Sequence, residues 1–308
     1  MADVNYIFLL SLTIIVIGFI LKKLKIITEE NGKVIAKIIF NVTLPAIILR
    51  VMSTLEFNLS LILIPLIIIF FGLGILFLGL ILFRNAPREI RGLILMTIFG
   101  FNVVHLAFPL VEGIWGEEGF QYIALVDAGN AILIFLICYL IGAIHSPKVE
   151  SEEIDVNLKY IGKKLLKSTP LLSYIIALSM NFSGVSFPDL VMDLLLILGR
   201  ANTALTLLLL GIFLNFKFEK AEWGIVLKVL IIRYSLGLLV GLILFFFLPF
   251  NHLYRLIIVI ALVLPVGLAT IPFSVEFDYD ERVINMIVTL TIIISFSLMW
   301  ILILILGV

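Results

Sequence analysis

The sequence is poor in the charged and polar residues that a water-soluble fold needs. Only 14% of its 308 residues are charged and 63% are hydrophobic, against about 25% and 45–50% in a soluble domain. This composition excludes a soluble globular protein. There is also no basic excess, since 21 Lys and Arg balance 21 Asp and Glu, so a nucleic-acid partner is not expected. The single cysteine, Cys138, excludes an intramolecular disulfide and a cysteine metal site.

The sequence contains none of the short motifs that mark common enzyme sites. It has no His-Glu-x-x-His zinc motif, no Gly-x-Ser-x-Gly nucleophile elbow, and no glycine pattern for phosphate or dinucleotide binding. This excludes ATP-driven transport by this chain alone. We therefore expect neither an enzyme nor a bound cofactor or metal.

Long apolar runs are abundant, and ten of them suit helices that cross a bilayer, since a span needs about 20 residues. Cut at clusters of charge, Gly and Pro, they cover roughly residues 4–21, 33–55, 59–83, 90–114, 118–143, 167–183, 188–214, 223–248, 253–276 and 282–307. They are too long and too uniformly apolar for the strands of a membrane barrel. The sequence predicts an all-α polytopic membrane protein with ten transmembrane helices, the first of them retained because it lacks a small-residue cleavage site.

The basic residues lie almost entirely on one side of the predicted spans. If the N-terminus is outside, 17 of the 21 Lys and Arg fall in cytoplasmic loops and only Arg255 falls on the opposite side. The other three, Arg50, Arg200 and Arg233, lie within spans. Because cytoplasmic loops are enriched in Lys and Arg, this distribution predicts a protein of the cytoplasmic membrane with both termini outside.

The longest loop divides the chain into five spans and five spans. Because five is odd, the second half enters the membrane upside down relative to the first, which is the condition for an inverted repeat. We expect a first five-helix repeat in residues 1–144 and a second in residues 167–308. The loop between them, residues 145–166, has mixed charge and is expected to be a cytoplasmic linker with a short amphipathic helix.

The fourth and ninth spans contain helix-breaking and polar residues near their centres. These are Gly100, Asn102, His105 and Pro109 in the fourth span and Pro265, Gly267, Thr270 and Pro272 in the ninth. Proline removes a backbone donor and clashes with the preceding turn, so we expect proline to interrupt each span. Interrupted spans at matching positions of two repeats point to a transporter's binding site. The alternative is two kinked helices that only fill the bundle.

Several ionisable or polar residues lie inside spans, where a charge costs about 2.5–3.5 kcal/mol. Asp127 lies about 15 Å deep in the fifth span at 1.5 Å per residue, and Asn130 shares its helix face. Arg200, at a similar depth in the seventh span, either pairs with Asp193 or Asp127 or binds an anionic substrate. His105 is either a proton-coupling or substrate-contacting residue or a packed polar one.

The second and seventh spans carry polar residues at corresponding places. These are Asn41 and Thr43, beside Pro45, in the second span and Asn202 and Thr203 in the seventh. They serve either as hydrogen-bonding contacts between helices or as part of the site lining. Of the remaining charges, Arg50 can snorkel to the outer surface and Arg233 is expected to pair within the scaffold of the bundle. Neither is a candidate site residue.

Four stretches of the sequence carry a family resemblance. They are IAKIIFNVTLPAIILRVMSTLEF, FNVVHLAFPLVEGIWGEEGFQYIALVDAGNAILIF, KSTPLLSYIIALSMNFSGVSFPDLVMDLLLILGRANTALTLLLLG and LPVGLATIPFSVEFDYDERVIN. They resemble the auxin efflux carrier family, which includes plant PIN exporters and prokaryotic permeases. The most specific features are an asparagine seven residues before a proline, Asn102 and Pro109, and the Leu-Pro of the ninth span at Pro265.

The resemblance implies a fold of two inverted five-helix repeats, with the first two helices of each forming a scaffold and the last three a transport domain. It implies crossover helices four and nine, elevator-like exchange of organic anions, and often a homodimer through the scaffold helices. In this arrangement Asn102, Pro109 and Pro265 would flank the substrate, whose carboxylate would meet backbone amides and helix N-termini.

The sequence therefore predicts a secondary-active transporter of a small organic anion, such as a dicarboxylate or an aromatic carboxylate, driven by membrane potential or a proton gradient. One alternative is a sodium-coupled symporter of the related bile-acid type, with Asp127 and Asn130 as ligands. Another is a membrane receptor that binds the anion without transporting it. The candidate substrate-binding residues are Asn41, Pro45, Asn102, His105, Pro109, Asp127, Asn130, Arg200, Pro265, Thr270 and Pro272.

Overall fold

The computed structural model describes residues 3–56, 58–147, 168–216, 218 and 220–307, and all regular structure in them is helical. In chain order the helices are α1 (Val4–Lys23), α2 (Glu29–Met52), α3 (Leu63–Leu82), α4 (Arg88–Ile98), α5 (Phe108–Ile132), α6 (Tyr139–Ile144), α7 (Thr169–Phe182), α8 (Asp189–Phe213), α9 (Trp223–Phe247), α10 (His252–Leu262), α11 (Thr270–Phe277) and α12 (Glu281–Leu306). Turns of π-helix occur within α2 at Ile39–Thr43, before α5 at Val103–Ala107, and between α5 and α6 at Leu133–Cys138. Residues 148–166 of the expected linker lie outside the described residues.

Seven helical stretches in the described part of the chain are long and apolar enough to cross a membrane. The stretch Arg88–Ile144 counts once among them, although its helix is broken at residues 99–102 and its backbone is non-helical again at Gly116 within α5, where φ is 63°. Helices α7 and α10 are shorter apolar helices. Large apolar side chains such as Leu190 and Phe247 are more than four fifths exposed, at 82% and 81%. The described residues thus form the all-helical structure of a polytopic membrane protein, and the count of ten spans stays a prediction.

The starts of several helices follow from their local sequence. The Asp3 carboxylate accepts a hydrogen bond from the backbone N–H of Asn5 at the start of α1. Thr28 and Asn31 form a reciprocal capping box at the start of α2. The Asn251 side chain caps α10 by accepting from the backbone N–H of Tyr254 at 2.7 Å. Such caps satisfy backbone donors that a helix leaves unpaired at its N-terminus.

Residue contacts divide the chain into two compact units. The first unit contains α1, α2, α7 and α8 with the part of α5 up to Ala128. In it α1 packs closely on α8, because Gly18 faces the backbone of Leu208 and Gly211 faces that of Ile15. Small residues allow such close approach between membrane helices.

The second unit contains α3, α4, α6 and α9 to α12 with the end of α5 from Gly129. Its centre is α10, in which every residue from Leu256 to Leu262 is at most 1% exposed. Gly237 of α9 lies against the carbonyl of Leu262 at the end of α10. With 11 residues, α10 is about 16 Å long at 1.5 Å per residue, about half of a bilayer core. The helix therefore ends inside the unit.

Candidate functional site

Two interruptions of helical structure meet in the second unit. The first comprises residues 99–102 after α4, and the second comprises residues 263–269 between α10 and α11. At the first, Gly100 has a φ of 77°, a conformation that glycine adopts without the steric penalty of a Cβ atom. The backbone N–H of Asn102 donates to the carbonyl of Pro265 at 2.9 Å. The centres of the predicted fourth and ninth spans are thus in direct backbone contact.

The prediction that proline interrupts each span is wrong for the fourth. Its break lies at Gly100 and Asn102, whereas Pro109 is a buried residue within helical structure, just after the π-helical turn Val103–Ala107. A π-turn shifts the hydrogen-bonding pattern, which suits a position where proline lacks a donor. In the ninth span Pro265 lies within the break, while Pro272 is exposed in the first turn of α11, where a missing N–H leaves no bond unmade.

Asn130 supplies the hydrogen bonds that the first break has lost. Its Oδ1 accepts from the backbone N–H of Phe101 and its Nδ2 donates to the carbonyl of Phe101, both at 2.7 Å. Both residues are buried. The carboxamide therefore satisfies a whole peptide unit that has no helical partner, as a buried backbone requires.

The second break is satisfied by side chains of α12. Ser295 donates to the carbonyl of Val263 at 2.6 Å, and the Thr291 hydroxyl accepts from the N–H of Val266 at 3.3 Å. Tyr234 of α9 lies beside them, with its hydroxyl 2.8 Å from that of Ser295. The candidate residue Thr270 is fully buried and donates its hydroxyl hydrogen to the carbonyl of Gly267 at 2.8 Å. This hydrogen bond satisfies a carbonyl of the same break.

Arg233 of α9 joins the two breaks through its guanidinium group. This side chain is 1% exposed, and its nitrogen atoms donate to five backbone carbonyls. The acceptors are Thr97 (3.4 Å), Ile98 (3.2 Å), Gly100 (2.7 Å), Leu264 (2.7 and 3.1 Å) and Pro265 (3.0 Å). The guanidinium also lies 4.8 Å from the centre of the Phe101 ring, a cation–π distance.

The charge of Arg233 is balanced by carbonyl dipoles. Within the described residues no acidic side chain forms an ion pair with it. Helices α4 and α10 both end at the breaks, and the C-terminus of a helix carries a partial negative charge. The expectation that Arg233 pairs within the scaffold is therefore wrong, because its partners are backbone atoms of the interrupted spans.

Other candidates belong to the first unit. His105 is 5% exposed, with its ring centre 5.7 Å from that of Phe40. Asp127 is half-buried. The single hydrogen of the Tyr174 hydroxyl is shared between the carbonyl of Ala124, at 3.0 Å, and the Asp127 carboxylate, at 3.4 Å. Tyr174 of α7 therefore contacts α5 at both Ala124 and Asp127.

The polar residues of the second and seventh spans make contacts between helices. The Thr43 hydroxyl donates to Asn202 Oδ1 at 2.9 Å, with both side chains buried. Asn41 is exposed and accepts from the hydroxyl of Thr169 in α7 at 2.8 Å. Pro45 is buried near the start of the helical segment after the π-turn of α2. These contacts fit the role of hydrogen bonding between helices.

The structure gives no support to the ion pair that is one of the two roles predicted for Arg200. Arg200 and Asp193 are both exposed on α8, and the described residues include no ion pair between Arg200 and either Asp193 or Asp127. The Arg50 side chain is 12% exposed and forms ion pairs with Glu117 and, at 3.7 Å, with Glu112; that it snorkels to the outer surface stays a prediction.

Metal binding has no support in the described part of the chain, which holds no group of three or more His, Cys, Asp or Glu that could bind an ion.

The structure brings Asn102, Asn130, Pro265 and Thr270 together at the breaks, with Pro272 on the surface of the same unit. It places the remaining candidates in the other unit, and these are Asn41, Pro45, His105, Pro109, Asp127 and Arg200.

Sequence reasoning missed the side chains that support the breaks, namely Arg233, Thr291 and Ser295. A signal existed for Arg233, because a charge deep in a span is a functional candidate by default. No comparable signal marked Thr291 and Ser295, since hydroxyl residues are common in membrane helices and bond to their own backbone.

Comparison with known proteins now gives the family. A family model described as membrane transport protein matches residues 7–304. An uncharacterized transporter of Methanocaldococcus jannaschii is 27% identical over 233 residues, which cover 72% of this chain and 73% of that protein. An uncharacterized transporter of Methanothermobacter thermautotrophicus is 23% identical over 92% of each chain. The chain therefore belongs to the membrane transport protein family, which confirms its resemblance to the auxin efflux carriers.

Proposed function

We propose that the protein is a secondary-active transporter of a small organic anion, a carboxylate such as a dicarboxylate or an auxin-like aromatic acid. The observation that carries this proposal is the contact between the two breaks, in which Asn102 N–H donates to Pro265 O. Paired broken helices are a common construction for transporter binding sites. Membership of a transporter family supports the same function.

The preference for an anion rests on the helix ends that follow the breaks. The π-helical turn Val103–Ala107 and helix α11, Thr270–Phe277, both begin directly after a break. Helix N-termini expose backbone N–H groups and carry partial positive charge, so they favour a carboxylate. Asn102 is the residue we propose to contact it, beside Pro265.

The grouping of helices supports an elevator-type mechanism. The first unit holds the predicted first, second, sixth and seventh spans, and the second holds the third, eighth, ninth and tenth. Three pairs of spans related by the proposed inverted repeat thus fall in the same unit, the first with the sixth, the second with the seventh and the third with the eighth. The fourth and fifth spans are each divided between the two units. We propose that the first unit is the scaffold, through which the protein dimerises, and that the second carries the substrate. The proposal also includes ten membrane spans, both termini outside the cell, and a location in the cytoplasmic membrane.

The test is counterflow in proteoliposomes with labelled dicarboxylates and aromatic carboxylates. We expect exchange of at least one carboxylate, with a response to membrane potential or to a pH step and none to sodium. Asn102→Ala should abolish exchange. The matched control is Asn181→Ala, which removes an asparagine of the first unit that donates to the carbonyls of Ser53 and Leu55.

Three results would contradict parts of this proposal. Full exchange by Asn102→Ala would show that the site lies elsewhere. Exchange that requires sodium and ignores pH would favour the bile-acid type of symporter. Binding of a carboxylate to the purified protein without exchange across liposomes would favour a receptor.

A further inference from the structure

We infer that Arg233 is a built-in cation: its guanidinium fills a cage of backbone carbonyls that would otherwise bind a monovalent cation, and it joins the two broken helices without a bound sodium ion. The inference rests on the proposed function where it concerns transport. The cage itself is defined by atomic contacts alone.

The ligands of the cage are those of a cation site. Five carbonyl oxygens from two separate segments converge on one guanidinium, at 2.7–3.4 Å from its nitrogen atoms. Unwound backbone carbonyls and the C-terminal ends of half-helices coordinate sodium ions in transporters with broken helices. Here α4 and α10 supply such ends, and the breaks supply Gly100, Leu264 and Pro265.

The electrostatics of the cage require a positive charge. Arg233 is 1% exposed, and a buried charge is strongly unfavourable unless it is compensated. Within the described residues the compensation comes from carbonyl oxygens and the face of the Phe101 ring. Without the guanidinium these oxygens would lose the donor that they share, although the Pro265 carbonyl would still accept from the N–H of Asn102. The cage and the cation therefore depend on each other.

Because this positive charge belongs to a side chain of the protein, its consequence for transport differs from that of a bound ion. Arg233 belongs to α9, whereas its acceptors flank the breaks of two other spans. A guanidinium stays protonated at physiological pH and, being covalently attached, is never released during a transport cycle. A sodium ion in the same place would be released and would couple transport to its gradient. We therefore expect anion exchange by the wild-type protein to be independent of sodium.

The test restores the missing cation to a variant that lacks it. Arg233→Ala should exchange the carboxylate at least about tenfold more slowly than the wild type, because charged hydrogen bonds are lost. Guanidinium chloride at about 10 mM, far below the molar concentrations that unfold proteins, should restore part of the exchange. Sodium chloride is the second probe and N-methylglucamine chloride the control for ionic strength. The wild type should respond to none of them.

A second measurement needs no transport. A cation that binds the folded variant raises its thermal unfolding temperature, so guanidinium or sodium should raise the midpoint of purified Arg233→Ala and leave that of the wild type unchanged. Failure of the proposed function, seen as no exchange by the wild type, would leave this measurement intact. A folded Arg233→Ala variant that shows no cation-dependent rise would overturn the inference, as would full activity of that variant without any added cation.

Two further variants separate charge from packing. Arg233→Lys keeps the charge and should fold and exchange without an added cation, whereas the uncharged Arg233→Met should not. Equal folding yields and equal exchange for these two would overturn the inference even if Arg233→Ala does not fold. The matched control is Arg255→Ala, because Arg255 also donates to a carbonyl and stacks on a ring, that of Phe245, but is not caged. Its exchange should not respond to guanidinium.

Discussion

Replacing Asn130 by alanine tests whether the first break depends on one side chain. The change removes two hydrogen bonds of 2.7 Å, one to the N–H and one to the carbonyl of Phe101. Phe101 is 3% exposed and Asn130 4%, so water does not readily replace them. Each buried group left without a partner costs about 1–3 kcal/mol. We therefore expect Asn130→Ala to lower the free energy of unfolding by about 2–6 kcal/mol.

The assay is thermal unfolding of the purified protein in detergent, combined with carboxylate exchange in liposomes. Exchange should fall further than stability alone explains, because Phe101 precedes Asn102, whose N–H reaches Pro265 at 2.9 Å. Asn130→Asp should be intermediate, since its carboxylate still accepts from the N–H of Phe101 but opposes the carbonyl. Asn130 would then be a positioning residue for Asn102.

The control is Asn181→Ala, in which two donor bonds to backbone carbonyls are lost from a half-buried residue of the first unit. Water can hydrate those carbonyls, so we expect a loss of about 1 kcal/mol or less and unchanged exchange. Equal unfolding temperatures for Asn130→Ala and Asn181→Ala would refute the reasoning. So would normal exchange by Asn130→Ala.

Three further predictions concern stability and are checked by unfolding temperature. Thr43→Val removes the buried bond to Asn202 and should destabilise by about 1–3 kcal/mol; no change would mean that the amide finds another donor. Gly237→Ala places a Cβ against a backbone carbonyl and should cost about 1–3 kcal/mol, whereas Gly224→Ala, with open space around it, should not destabilise. Asp280 caps α12, and hydrogen bonds from the neighbouring arginine hold the pKa of its carboxyl below the usual range. The cap contributes about 1 kcal/mol to the free energy of unfolding. This contribution should be complete above the ordinary pKa of a carboxyl group and should be lost as the pH falls through the lowered pKa of Asp280. The unfolding temperatures of Asp280→Ala and the wild type should therefore converge in acid, and a difference that stays constant with pH would contradict this.

The positions of the helices could be predicted because the length of an apolar run is a local property of the sequence. The expected first span, residues 4–21, lies within α1, and the expected eighth, residues 223–248, differs by one residue from α9. The place of each interruption was harder to predict. Proline and glycine both occur in the fourth span, and only the backbone shows that the chain turns at Gly100 while Pro109 is accommodated after a π-turn.

The partners of the polar residues could not be predicted from their spacing. A spacing of three positions predicts that Asn130 and Asp127 share one helix face. In the structure Asn130 bonds to Phe101, 29 positions away, and Asp127 to Tyr174, 47 positions away. Helix periodicity shows which residues share a face, but it does not show which other helix that face contacts.

The sequence by itself determined that the chain is a membrane protein, how its apolar helices are spaced along the chain, and that the centres of two spans are irregular. Hydrophobic length and helix-breaking chemistry decide these features, and both are local. Only the tertiary structure decided what satisfies the broken backbone. Arg233 reaches Gly100 across 133 positions and Pro265 across 32, because a buried carbonyl needs a donor wherever the fold can supply one.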